Sequence, residues 1–198
     1  VIGKKRPVCI LATVAVFSLA ACSLSGCSVP GSDPEPAMDV YQASKRINAL
    51  LDETFAGVHP RLKWRDGPAE TSGQDDILGR PNGSVTVSRT RYVRNEVSKG
   101  MVKILYGAVE KHWEAAGYKI GDVNAKEPSF TGMTPDGFSI RFSVGASGNV
   151  YFDASSPSAK YPGYSGGAVT GEEGDEFPKG SGGGRDVSPD VHDSYWSK

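Results

Sequence analysis

The residues that could do chemistry are few and scattered. Gly163-Tyr164-Ser165-Gly166-Gly167 satisfies G-x-S-x-G, the pattern of a nucleophile elbow, where a tight strand-to-helix turn lifts a serine beside an oxyanion hole. No helical pattern follows Ser165 and glycine-rich sequence surrounds it, so a chance match is the better reading. His59, His112 and His192 stand in three unrelated contexts. None has a histidine four residues on or a cysteine beside it, so no metal site is expected. The acidic run GEEGDEF, 171–177, offers oxygens without the spacing or glycine placement of a calcium loop, and reads as a solvated stretch. Three arginines are more distinctive. Arg89 and Arg91 share one face of a strand candidate, and Arg141 on a second strand could join them. Such a face would meet anionic headgroups or wall polymers. The plainer alternative is the solvent face of a sheet open on one side. No cofactor is implied.

The three cysteines, Cys9, Cys22 and Cys27, all fall in the first 27 residues. The rest of the chain can therefore hold neither a disulfide framework nor a zinc–thiolate site. Lys4, Lys5 and Arg6 form a basic start, and Pro7–Ala21 is uncharged, mostly apolar and shorter than the roughly 20 residues of a transmembrane helix. Two boxes follow, Leu19-Ala20-Ala21-Cys22 and Leu24-Ser25-Gly26-Cys27. They resemble the lipobox of bacterial lipoproteins: leucine three before a cysteine, small residues between. That resemblance implies a diacylglyceryl group on the cysteine thiol, cleavage just before it, and a protein anchored by membrane lipid at the extracytoplasmic face. Lipidation at Cys27 leaves no unpaired thiol on the exported chain, and a polar, Pro-rich stretch begins directly after it. Cys22 lies at the end of the apolar run, where cleavage is common, and is the alternative.

These features divide the chain into a signal peptide over 1–26, a lipidated Cys27 with a tether to residue 37, a globular domain over 38–158, and a tail over 159–198. Residues 28–37 hold three prolines and would extend about 30 Å at roughly 3.1 Å per residue. Asp39 with Gln42 marks a helix start as an Asp variant of the capping box. Ala43, Ile47, Leu50, Leu51, Thr54 and Phe55 then recur at helical spacing. A short strand at 61–64 precedes a long polar loop closed by Pro81-Asn82-Gly83, and 84–93 has strand composition. A second helix is expected over 96–116. Strands follow at 118–123, weakly at 130–133, and at 138–144, where Phe138, Ile140, Phe142 and Val144 alternate cleanly with polar residues. A hairpin turn at 145–149 leads to the last, at 150–154. The order α-β-β-α-β-β-β predicts an α+β two-layer sandwich, an antiparallel sheet of about five strands with two helices on one face. Glycine density and acidic charge predict a disordered tail.

The formal net charge of -1 gives no support to nucleic-acid binding. In layout the chain is similar to small actinobacterial lipoproteins, a likeness that assigns no active residue. The expected function is a non-catalytic binding or interaction module at the cell surface, its partner an envelope protein or wall polymer. Two alternatives stand beside it: a small envelope hydrolase whose carboxylates meet only on folding, and an accessory subunit of a transport or secretion system.

Overall fold

The computed structural model describes residues 36–124, 126–145, 148–164 and 166–198. Cys22, Leu24, Ser25, Gly26, Cys27 and Ser165 lie outside them. Helix α1, Val40–Ala56, starts where the sequence signals it. The Asp39 carboxylate accepts from the backbone N–H groups of Tyr41 and Gln42, and the Gln42 side chain accepts from the Asp39 N–H. Its stripe of Val40, Ala43, Ile47, Leu50, Leu51 and Phe55 is buried. Helix α2, Lys99–Ala115, is capped by Ser98 and buries Val102, Leu105, Val109 and Trp113.

The strands are β1 (Trp64–Asp75), β2 (Pro81–Val93), β3 (Lys119–Asn124), β4 (Ser129–Met133), β5 (Ser139–Val144), β6 (Val150–Ser155) and two-residue pieces β7 (Ala159–Lys160) and β8 (Gly167–Ala168). They form one sheet in the order β3-β4-β5-β6-β2-β1-β8, with β7 beside β2, and every pairing is antiparallel. The α+β class with two helices and an antiparallel sheet is as expected; the sheet has eight strands, not about five. The expected polar loop is instead most of a long hairpin, β1–β2. Its residues carry no apolar alternation because β1 lies near the sheet's edge, and a bulge between Asp66 and Ala69 breaks the period further.

Register explains the core. Phe130, Phe142 and Phe152 are directly opposite one another on β4, β5 and β6. Phe55 of α1 packs on Phe152, and Tyr106 and Trp113 of α2 pack on Phe130, so both helices cover this one face. The Trp113 indole N–H donates to the Thr54 hydroxyl, joining the helices through a polar contact that burial would otherwise penalise.

The tail is not disordered. Val169 and Trp196 are buried, the latter only 1 % exposed, and the Trp196 indole donates to the Pro60 carbonyl. Residues 167–175 run along the outer edge of β1: Ala69 N–H donates to Glu172 O, Val169 N–H to Ala69 O, and Asp175 N–H to Asp66 O. Gly174 shows why glycine recurs here. Its φ is +82°, and a Cβ would lie 2.5 Å from the Gly67 backbone. Elsewhere in the tail, as at Gly171 and Gly183, glycine serves turns of positive φ, so glycine density here accompanies defined structure.

Two outcomes test the role of the tail. Trp196→Ala should cost about 3–5 kcal/mol by denaturant unfolding, as for other fully buried aromatics. Asp190 accepts from Arg94 and Arg65, and those contacts, led by the Arg94 hydrogen bond, lower its pKa to about 2. A depressed carboxylate contributes stability above its unfolded pKa and loses it as pH falls through the folded one. Acidification from about 4 to about 2 should therefore weaken the tail's hold, and Asp190→Asn should remove that part of the acid response in Trp fluorescence.

Candidate functional site

Strand β2 decides which side chains are available for function. Val85, Val87, Arg89, Arg91 and Val93 point to the helices; Thr86, Ser88, Thr90 and Tyr92 point away. Arg89 and Arg91, expected on a solvent face, therefore belong to the core side and are 7 % and 2 % exposed. Arg91 donates from Nε and Nη2 to the two Asp66 oxygens at 2.6 and 2.8 Å, and from Nη1 to Asp52 at 2.9 Å. Its guanidinium also lies 5.1 Å from the Phe55 ring centre and 4.8 Å from that of Trp64. Arg89 donates to the Asn48 side chain and to both the carbonyl and carboxylate of Glu172. The expected three-arginine face is thereby corrected: two of its members are internal. The parity they share with Val85, Val87 and Val93 is the sequence signal that reveals it. Glu172, from the run expected to be solvated, folds back to compensate Arg89.

Arg141 is on the opposite face. It stands directly across from Asp153, which in turn stands across from Thr90. This outer face is mostly polar, with Met133 exposed at its β4 end beside Ser139. One row holds Ser129, Ser143, Tyr151, Tyr92 and Arg65; the next holds Thr131, Arg141, Asp153 and Thr90; a third holds Ser139, Ser155, Ser88 and Glu70. Towards the β6 start the face becomes concave. A cavity of about 280 Å³ is lined by Asn124, Glu127, Arg141, Ser143, Tyr151 and Asp153. Tyr151 lies 6.3 Å from Tyr92, whose ring meets Phe177 of the tail edge-on at 5.5 Å.

The electrostatics centre on Asp153. Burial raises its pKa above the ordinary carboxylate value; a 2.6 Å hydrogen bond from the Thr90 hydroxyl and the charge of Arg141 act against that without cancelling it. A cationic donor, a carboxylate, hydroxyls and an aromatic ring thus meet in one open concavity, which suits recognition of a polar ligand by several hydrogen bonds.

The other candidates do not assemble. His59 is exposed after α1, His112 closes against Gly57 from the last turn of α2, and His192 pairs with Glu96 at 3.0 Å. Among the described residues no group of three His, Cys, Asp or Glu side chains could hold a metal. Strand β8 and then irregular chain, not a helix, follow position 166, so the local frame of a nucleophile elbow is missing there. No described helix is long and apolar enough to cross a membrane. No protein-family profile matches the chain, nor does any curated protein.

Asp153 carries a signature that separates function from folding. Its raised pKa means its contribution to stability is greatest below the unfolded carboxylate pKa and is lost as pH rises through the folded value. At neutral pH the charge is a burden on the fold. Asp153→Asn keeps an acceptor for Thr90 and should leave the neutral-pH unfolding midpoint unchanged or higher.

Proposed function

We propose that the chain is a lipoprotein anchored at the extracytoplasmic face of the membrane, and that its domain is a non-catalytic module binding a wall polymer on the outer sheet face around Asp153. The location rests on the two lipoboxes behind a basic and apolar start. The binding reading is carried by one observation. A partly desolvated Asp153, faced by Arg141, is kept in an open polar concavity where the fold gains nothing from its charge. Folds retain such groups where recognition needs them. Anionic lipid headgroups are no longer the partner in this reading, because the arginines that would have met them are compensated inside the core.

Two measurements test it. The intact mass of protein extracted from membranes should equal a chain beginning at Cys27 and carrying diacylglyceryl, and Cys27→Ser should release the protein from the membrane fraction. Purified wall polymer should co-sediment with the wild-type protein and lose at least tenfold in affinity with Asp153→Asn or Arg141→Ala; equal retention of both variants would refute the assigned face.

A second reading is a carboxylate hydrolase, favoured by Glu127 and Asp153 lining the same cavity. It predicts release of new reducing ends from wall glycan, lost in both Glu127→Gln and Asp153→Asn.

A further inference from the structure

The β1–β2 hairpin ends in a tip with an unusual division of polar and apolar groups. Asp76 accepts from the backbone N–H groups of Leu78 and Arg80 and from Arg80 Nε, at 2.8, 3.0 and 2.9 Å. The backbone closes as well, Asp76 N–H to Arg80 O at 2.7 Å and Gly79 N–H to Asp76 O at 2.9 Å. Gly79, at φ +74°, makes the tight return possible. With the polar groups satisfied inside the loop, Ile77 and Leu78 are turned outward, 88 % and 69 % exposed, the two most exposed large hydrophobic side chains described. The backbone N–H groups of Asp76, Leu78, Gly79 and Arg80 thus keep their partners when the apex leaves water. Tyr161 and Tyr164, their rings 6.0 Å apart, flank the hairpin below the tip, the Tyr164 hydroxyl accepting from Gly73 N–H. Aliphatic groups at an apex with tyrosines behind them follow the polarity gradient of a bilayer interface.

The entry point of the chain adds the second observation. Asp39 bridges to Lys160, Lys160 pairs with Ser84 of β2, and Tyr161 N–H donates to Gly83 O. Residues 38–39 therefore join the domain at the same end of the sheet as the tip. From Ser84 to Leu78 is six residues, about 20 Å along a strand. Residues 28–37 could span about 30 Å. An anchor at Cys27 would keep the tip within reach of the bilayer.

We infer that Ile77 and Leu78 insert into the bilayer interface as a second, non-covalent membrane contact, an inference that rests on the lipid-anchor reading above. Two aliphatic side chains attach nothing by themselves; beside a tether they act at high effective concentration and set orientation. The cavity around Tyr151 and Asp153, at the opposite end of the strands, then faces away from the membrane.

The test uses the full mature chain in phosphatidylcholine vesicles, with a polarity-sensitive fluorophore on Leu78→Cys or, as control, on Val123→Cys, which is exposed at the far end of β3. It is run in two formats: the lipidated protein, and a Cys27→Ser chain of residues 27–198 held by an amino-terminal His tag on nickel-chelating lipid. The label at 78 should shift to the blue and lose several-fold in iodide quenching on vesicles, with no change at 123. Ile77→Ser in the labelled background should reduce both effects. The same result in the tagged format alone, from a chain that cells do not lipidate, would sink the anchor while supporting the tip contact. No shift in either format overturns the inference, as does an equal shift at 123. A shift that needs no vesicles and grows with protein concentration also overturns it, because a second copy then covers the tip.

Discussion

Arg91 sits where an apolar side chain would be expected, in line with Phe130, Phe142 and Phe152 across the sheet, and its neighbours are arranged around that fact. Its charge must be answered within the fold, since an uncompensated buried guanidinium is far costlier than the ion pair is worth. Asp66 answers from β1, Asp52 from α1, and two aromatic faces complete the shell. Arg89, one pleat along, makes the same demand on α1 through Asn48 and on the tail through Glu172. A hydrophobic pair at these positions would pack as well and need no partners. What the arginines add is uniqueness of arrangement. One helix azimuth, one β1 register and one course of the tail bring Asp66, Asp52, Asn48 and Glu172 to the two guanidinium groups together, and a slip of a single residue in β2 would turn both charges to the other face.

This dependence also separates what was legible in the sequence from what was not. Both helices, the Asp39–Gln42 cap and the alternation of 138–144 are written in neighbouring residues, and each is present in the structure. The β1–β2 hairpin and the tail are not local features. Ser72 and Gly73 gain their place from β2 beside them, and the 167–175 segment from the edge of β1 and from Arg89. Composition counted the glycines of the tail but not Trp196, a single large side chain that outweighs many small residues once it is buried. The period of two places Arg89 and Arg91 on one face; their charge points that face to solvent, while Val85, Val87 and Val93, which share it, point it inward. Asp153 gave no signal at all, since a polar residue in alternation with Phe152 and Ala154 is what any half-buried strand contains.

The result is a sheet with two unlike sides. The helix side is sealed by aromatic packing and internal ion pairs. The outer side is a hydroxyl-rich surface on which Arg141 and Asp153 stand opposite each other over an open concavity. The cost of burying Asp153 is borne on the side where solvent and ligand can reach it, and the cost of burying two arginines on the side where neither can. On the proposed reading, recognition draws on residues other than those that hold the core together.

The path of the last residues has a temporal consequence. Arg89 lacks its carboxylate until Glu172 arrives, β1 lacks its outer neighbour until residues 167–175 are laid down, and the space beside Pro60 stays empty until Trp196 fills it. A chain synthesised from its amino end, or threaded through a pore in that direction, carries nearly all of its core sequence before it can close it. Closure of the domain therefore depends on residues 167–196, without which Arg89, the outer side of β1 and the space beside Pro60 all lack their partners.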